Sequence, residues 1–275
     1  MLKLRVLTAL VLLPVVLGGL FALDRQAFAV MSAVFFLIAA WEWSAMMSPT
    51  ISRSVQIKWV AVLAVLMLLM EWLEPLWLLN VLPLWWLVAL IMVLGYPRNA
   101  HHWYRLPMMM LLGLLVLLPS WAALVHIQSN GALGLAGPWA LLFILVWVWA
   151  ADSGAYFAGR AFGRHKLAPK VSPGKTIEGL AGGVLLAMLV VAGVYVSGVL
   201  EGRLFPLLVV ALLTVLASAL GDLFESMVKR QRGFKDSGTI LPGHGGMLDR
   251  VDSVTAAIPV ALGGMSWFAL PGGAF

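Results

Sequence analysis

The sequence contains no cysteine among its 275 residues. That absence excludes disulfide bonds, thiolate nucleophiles and zinc sites with cysteine ligands. It gives no information about the compartment in which the protein works. Any catalysis must therefore use carboxylates, histidines, lysines or a bound metal ion.

Charge is also scarce, because only 11% of the residues are charged whereas 62% are hydrophobic. This composition is far too apolar for a soluble domain of the same length. Apolar runs of roughly 20 residues, the length that crosses a bilayer, recur along nearly the whole chain and leave no room for a soluble domain. We therefore predict one integral membrane domain, residues 1–275, with an all-α fold.

The hydrophobic pattern predicts a polytopic helical bundle of about nine transmembrane helices. The predicted spans are residues 6–23, 28–46, 57–73, 76–95, 107–126, 138–157, 179–199, 204–222 and 254–270. The third and fourth spans are interrupted only by the short stretch at residues 71–75, which overlaps the end of the third span. An eight-span arrangement with a re-entrant segment therefore stays open. The basic start and the apolar run up to Ala22 are typical of a secretory signal, but the run is long and lacks a clear cleavage site, which favours a transmembrane anchor.

Lysine and arginine residues predict the orientation, because cytoplasmic loops carry an excess of them. With nine spans, all of the 18 Lys and Arg residues except Arg25 and Arg203 fall on one side. The N-terminus and this basic side are then cytoplasmic. The basic residues, which give the chain its net charge of +6, would then face the cytoplasm and its anionic leaflet. No soluble basic face exists that could bind nucleic acid.

Residues 1–137 offer little chemistry, so we predict that they mainly form scaffold spans. Residues 138–275 are predicted to carry the catalytic spans and the cytoplasmic loops. Glu42 is the exception in the first half, because an intramembrane carboxylate is a functional candidate. It also lies near a span end, where its side chain could simply reach the interface.

Three carboxylates stand at or near the predicted cytoplasmic ends of spans in the second half, namely Asp152, Asp222 and Asp249. A carboxylate buried at this depth is costly unless it is paired or binds a cation. The three acids are therefore candidates for a metal or substrate site.

The loop over residues 159–179 is rich in lysine, arginine, glycine and proline. Ser172 and Lys175 stand beside glycine or proline, where backbone N–H groups and an ammonium group can face the same anion. This loop therefore predicts a phosphate cradle.

The triplet Gly174-Lys175-Thr176 resembles the end of a Walker loop, but we reject that interpretation. A Walker loop needs a glycine five residues before Gly174, where this chain has Pro169, and it needs a preceding soluble strand. Thr176 is also suited to cap the next helix, with Glu178 in its first turn, and the two roles are compatible.

Residues 226–252 form a second loop in which basic residues, glycines and acids alternate. Its candidate site residues are Lys229, Arg230, Lys235, Asp236, His244, Asp249, Arg250 and Asp252. Such a mixture suits a site that must hold a polyphosphate, a divalent metal and a second anionic substrate together. A loop that only set the topology would not need His-Gly-Gly or the paired acids.

These residues resemble the phosphatidate cytidylyltransferase family, also called CDP-diacylglycerol synthases. The family signature combines a Ser-x-apolar-Lys-Arg start, a Lys-Asp pair and a Pro-x-His-Gly-Gly-apolar-x-Asp-Arg-apolar-Asp end, and it is matched at every fixed position from Ser226 to Asp252. Residues 152–156 and 170–179 are also similar to family segments. The resemblance is strong over residues 140–255, whereas the N-terminal third matches only as a run of hydrophobic spans.

The resemblance implies that a phosphatidic acid phosphate attacks the α-phosphorus of CTP, giving CDP-diacylglycerol and pyrophosphate. It further implies a polytopic helical fold, a homodimer in the bacterial inner membrane and a paired-metal site with Mg²⁺ and possibly a second cation. Asp222 and Asp249 match the metal ligands, and with Lys229, Arg230 and His244 they form the implied catalytic set. The implied substrate-binding residues are Asp152, Ser172, Lys175, Lys235, Asp236, Arg250 and Asp252.

Two other functions stay open at this point. A CTP-dependent polyprenol or phytol kinase would use a similar membrane carboxylate site, although the match from Ser226 to Asp252 argues against it. An ion-coupled transporter would also place acids within a bundle, but the acids here gather at one face and we find no internal repeat.

Overall fold

The protein is described by a computed structural model that covers residues 2–240, Gly243 and residues 245–273. Its helices are α1 (Leu2–Ala22), α2 (Arg25–Met47), α3 (Arg53–Leu73), α4 (Leu76–Val81), α5 (Trp85–Gly95), α6 (Ala100–Trp103), α7 (Leu106–Asn130), α8 (Gly137–Phe162), α9 (Ile177–Val196), α10 (Leu204–Gln231) and α11 (Leu248–Trp267). A 3₁₀ turn, Leu82–Leu84, separates α4 from α5. Two short strands, β1 (Lys166–Ala168) and β2 (Ser172–Thr176), precede α9.

Helices that are long and apolar enough to cross a membrane dominate the fold. Within the described ranges there are seven such segments: Arg25–Met47, Arg53–Leu73, Trp77–Gly95, Leu106–Asn130, Gly137–Phe162, Ile177–Val196 and Leu204–Gln231. The predicted all-α bundle of an integral membrane protein is therefore confirmed. The predicted total of nine spans is not confirmed, because α1 and α11 fall outside these seven segments.

Several chain segments meet at one end of the bundle, which we call the site face. There, the Arg232 guanidinium donates hydrogen bonds to the carbonyl oxygens of Met46 at 2.8 Å, of Met47, and of Tyr104 at 2.9 Å. These bonds join the C-terminal ends of α2 and α10 to the segment before α7. Since α2 is 23 residues long, its first residue, Arg25, lies about 33 Å away at the opposite end of the bundle.

Helices α8 and α9 pack backbone to backbone through glycines. A Cβ atom on Gly154 would lie 2.5 Å from the carbonyl oxygen of Gly182, and one on Gly183 would lie 2.5 Å from that of Ala151. Only residues without a Cβ atom permit so close an approach. The contact fixes the Asp152 segment of α8 against the first turns of α9.

The first basic loop contains an antiparallel hairpin, formed by β1 and β2, that the sequence analysis did not predict. Lys166 pairs with Thr176, and Ala168 pairs with Ser172. The strands are too short and too polar to show an alternating pattern. The predicted capping role of Thr176 is confirmed, because its Oγ1 accepts a hydrogen bond from the Gly179 N–H at 3.1 Å.

Helix α11 lies in the centre of the bundle, where residues 255–265 are all buried. It approaches α10 closely at Gly221, since a Cβ atom there would lie 2.5 Å from the carbonyl oxygen of Asp252. The contact brings the first turns of α11 beside the Asp222 segment of α10.

We predict that Gly183→Ala lowers the melting temperature of the purified protein in detergent. The added methyl group would press on the backbone of α8, and such overpacking costs about 1–3 kcal/mol of unfolding free energy. The control is Gly193→Ala in the same helix, where no atom of the described residues lies within 4 Å of an added Cβ. Equal melting temperatures for the two variants would contradict the close packing of α8 and α9.

Candidate active site

A polar cavity of about 410 Å³ opens between α8, α9, α10 and the hairpin. The polar and charged side chains that line it are Asp152, Tyr156, Arg160, Lys175, Thr176, Ser218 and Asp222. The Lys175 ammonium lies 2.7 Å from Asp222 Oδ2, and Ser226 Oγ donates to Asp222 Oδ1 at 3.2 Å. The hairpin therefore delivers Lys175 directly to the carboxyl group at the end of α10.

Two more carboxyl groups surround this ion pair. Asp152 on α8 interacts electrostatically with both Asp222 and Lys175. Asp252 on α11 interacts electrostatically with Asp222, Lys229 and Lys175, although it does not line the cavity, and its Oδ1 accepts a hydrogen bond from the Ser253 N–H at 2.6 Å. Acids from three helices therefore lie around Lys175, which forms its ion pair with Asp222.

A second ion-pair cluster lies beside the cavity and is centred on Lys229. Its ammonium group lies 2.6 Å from Asp249 Oδ1 and 3.0 Å from Glu225 Oε1. Lys229 and Glu225 are 8% and 3% exposed, so a charge on either would be costly without the other. Lys229 therefore holds α10 to the first turn of α11.

Asp249 also organises the loop before α11. Its Oδ2 accepts hydrogen bonds from the backbone N–H groups of Ser237 at 3.0 Å and Gly246 at 2.9 Å. With Lys229 on Oδ1, three donors use most of the four acceptor positions that a carboxylate offers. One acceptor position is left for a metal ion, and Asp249 would bind such an ion through both oxygens only by releasing one of these donors.

Glu42 reaches the same loop from α2 in the first half of the chain. Its Oε1 accepts a hydrogen bond from the Met247 N–H at 3.1 Å, and its Oε2 accepts from the Leu248 N–H at 2.8 Å and the Ser237 hydroxyl at 3.2 Å. Glu42 thereby supplies acceptors to N–H groups at the start of α11 that have no partner within the helix. Glu42 is therefore a buried side chain that binds the loop before α11, and it does not reach the membrane interface.

Glycines let the loop close around Glu42. A Cβ atom on Gly238 would lie 2.4 Å from Glu42 Oε1, and one on Gly246 would lie 2.5 Å from Glu42 Oε2. A larger residue at either position would displace the carboxyl group. Part of the His-Gly-Gly motif therefore serves the packing around Glu42.

Other predicted site residues are not brought into the polar cavity. Arg230, Lys235 and Asp236 are exposed on the site face, where Arg230 donates to the Phe234 carbonyl oxygen at 3.2 Å. Ser172 lies on β2 but does not line the cavity. The roles predicted for these four residues stay predictions.

Two further predicted residues lie elsewhere. Arg250 lines an apolar cavity between α1, α2, α8 and α11. His244 lies outside the described residues.

The sequence analysis missed two described site residues, Arg160 in the lining of the polar cavity and Glu225 beside Lys229. The spacing of Glu225 from Asp222 and Lys229, three residues after one and four before the other, places these three along one side of α10 and could have indicated an ion-pair cluster. Glu42 was identified as a candidate, but its partners lie about 200 residues away in the sequence. No local pattern could have predicted that contact.

Within residues 2–240, 243 and 245–273, no three His, Asp or Glu side chains are clustered closely enough to hold a metal ion. Mg²⁺ does not need such a cluster, because it is commonly held by one or two carboxylates together with substrate phosphates and water. The oxygen ligands of Asp222 and its neighbours fit that mode of binding.

The chain is similar to several bacterial proteins that carry the same name. A phosphatidate cytidylyltransferase of Pseudomonas aeruginosa is 44% identical over 267 residues, covering 94% of this chain and 95% of that protein. One of Haemophilus influenzae is 40% identical over 280 residues, covering 94% and 96%. One of Staphylococcus epidermidis is 44% identical over 120 residues, covering 44% and 46%.

The family comparison covers nearly the whole chain. The sequence model described as the Cytidylyltransferase family matches residues 3–268, which include both ion-pair clusters and Glu42. With this match and two relatives aligned over most of their length, the chain belongs to the Cytidylyltransferase family.

Proposed function

We propose that this protein is a phosphatidate cytidylyltransferase, which converts CTP and phosphatidic acid into CDP-diacylglycerol and pyrophosphate. The observation that carries the proposal is the polar cavity, where Lys175 and Asp222 meet at one end of a membrane helical bundle. Such a position suits a reaction between a soluble nucleotide and a lipid phosphate. The names of the relatives from Pseudomonas aeruginosa and Haemophilus influenzae support the same activity.

The reaction needs positioning and charge neutralisation more than covalent help from the protein. A phosphatidic acid phosphate oxygen forms a bond to the α-phosphorus of CTP while the bond from that phosphorus to the β-phosphate oxygen breaks. The nucleophile is already anionic, so a general base is not required. Lys175 in the cavity and Arg160 at its wall are placed to neutralise phosphate oxygens.

A bound Mg²⁺ would supply further neutralisation between the two anionic substrates. In our proposal Asp222 holds this ion, and Asp249 is the second ligand that the resemblance implies. The described contacts of Asp249 leave one acceptor position for the ion, and binding through both oxygens would require that Lys229 or a loop N–H group give way.

The substrates also define where the site lies in the membrane. Acyl chains must stay in hydrocarbon while CTP arrives from water, so the site face would lie at the cytoplasmic boundary of the bacterial inner membrane. With the nine spans that the sequence predicts, the excess of Lys and Arg falls on that side, which agrees with the positive-inside rule. We also propose that the protein is a homodimer, as the resemblance to the phosphatidate cytidylyltransferase family implies.

The proposal predicts CDP-diacylglycerol formation by the purified protein in detergent with CTP, phosphatidic acid and Mg²⁺. CDP-diacylglycerol and pyrophosphate should form in equal amounts. Release of CDP together with a phosphorylated lipid alcohol, when such alcohols are offered, would instead identify a kinase. Failure to form either CDP-diacylglycerol or pyrophosphate would refute the proposed function.

We predict that Asp222→Asn reduces kcat by about 100-fold or more, as expected when a group that stabilises transition-state charge is removed. The melting temperature should change little, because asparagine keeps the shape of the side chain. The control is Asp24→Asn, at the N-cap of α2, where asparagine caps equally well. Retention of full activity by Asp222→Asn would remove this residue from the site.

We predict that Glu42→Gln reduces kcat by about tenfold or more, because it weakens the hydrogen bonds that position the loop before α11. Hydrogen bonds to charged groups contribute about 1.5–3 kcal/mol each. Glutamine presents one acceptor oxygen, whereas Glu42 accepts with both oxygens. Glu71→Gln is the control, since Glu71 pairs with Arg25 at the opposite end of the bundle. Equal activities of the two variants would show that Glu42 does not position the loop.

A further inference from the structure

A large apolar groove lies between α5 and α10, on the other side of the polar cavity's wall. Its volume is about 700 Å³, which falls within the range of about 300–1,000 Å³ that is typical of ligand pockets. We call it the α5–α10 groove. On α10 it is lined by Leu213, Leu216, Ala217, Ala219, Leu220 and Leu223.

The groove has the depth of one lipid leaflet. Its lining on α10 runs from Leu213 to Leu223, which corresponds to about 15 Å along the helix axis. The hydrocarbon core of a bilayer is about 30 Å thick, so one leaflet contributes about 15 Å. Pro83 and Trp267 line the deep part of the groove, and Tyr96 and Lys170 line the end near the site face.

The groove and the polar cavity share a wall made of Leu167, Leu180 and Ala219, which line both spaces. The hairpin crosses the boundary between them. Its Lys170 lines the mouth of the groove, whereas its Lys175 lines the polar cavity. A molecule with an apolar chain in the groove would therefore present its polar end to the side of the cavity that holds Lys175.

A second apolar cavity, of about 450 Å³, provides a comparison. It lies between α1, α2, α8 and α11 and includes Leu13 and Arg250 in its lining. Among the residues that the structure describes, it shares no lining residue with the polar cavity. A lipid chain in this second cavity would have no direct boundary with the proposed reaction site.

We propose that the α5–α10 groove is the binding site for an acyl chain of the lipid substrate. This inference rests on the proposed function for the identity of the lipid, and it adds where the chain lies. The groove keeps the chain in an apolar environment, while the hairpin lysines attract the phosphate group toward the polar cavity. The groove would thereby determine the preference for acyl-chain length.

The test uses the full chain in detergent micelles with CTP, Mg²⁺ and either dioleoyl or dihexanoyl phosphatidic acid. Leu216→Trp and Leu87→Trp place an indole in the groove at side chains that are 40% and 62% exposed, so the fold should tolerate them. We expect the KM for the dioleoyl substrate to rise about tenfold, equivalent to about 1.4 kcal/mol. The KM values for CTP and for the dihexanoyl substrate should not change.

The matched controls are Leu13→Trp, in the second apolar cavity, and Leu189→Trp, on the exposed surface of α9. Both should leave the KM for dioleoyl phosphatidic acid unchanged. A groove variant that behaves like Leu189→Trp, or a rise in KM for Leu13→Trp alone, would overturn the proposal.

A second measurement does not depend on turnover. Phosphatidic acid with a photoactivatable diazirine near the acyl end should crosslink to α5 and α10 within residues 84–94 and 213–223, as mapped by mass spectrometry. Absence of adducts there would refute the acyl site. An inactive protein that still gives these adducts would refute only the proposed reaction.

Discussion

Two lysines neutralise three acidic side chains at the boundary between the helical bundle and its site-face loops. Lys175 pairs with Asp222, and Lys229 lies between Glu225 and Asp249. Carboxyl groups at this depth are costly unless they are paired, so these contacts restrict where the hairpin and α11 can lie. The hairpin must bring Lys175 over α10, and α11 must start where Asp249 can reach Lys229. Asp152 and Asp252 lie beside these ion pairs, where anionic substrates and a cation can compete for the lysines.

The first half of the chain contributes directly to this arrangement. Glu42 on α2 receives hydrogen bonds from the start of α11, and Arg232 after α10 caps the end of α2. Each of these contacts crosses between the two halves of the sequence. The scaffold role predicted for residues 1–137 therefore needs one addition, because these residues also position the loop that follows α10.

Much of this organisation could be predicted from the sequence, for reasons that are local. Long apolar runs indicate membrane helices whatever their partners, and acids such as Asp222 at the ends of these runs indicate a site. Thr176 was predicted as a helix cap because capping depends on neighbours within one turn. The pairing of Glu42 with Met247, the hairpin and the choice of lysine for each acid depend on distant segments that meet only in the folded chain. The assignment of Asp249 to a metal stays a prediction, since its described partners are Lys229 and backbone N–H groups.

The polar cavity and the α5–α10 groove meet along one wall, so the fold offers an aqueous space and a lipid-like space side by side. The central claim is that charge at Lys175 and Asp222 brings the two anionic substrates together in that polar space. A structure of the protein with CTP and Mg²⁺ tests this claim most directly. The account predicts phosphate density next to Lys175 and a metal ion in contact with Asp222. Nucleotide phosphates bound away from both residues would contradict it.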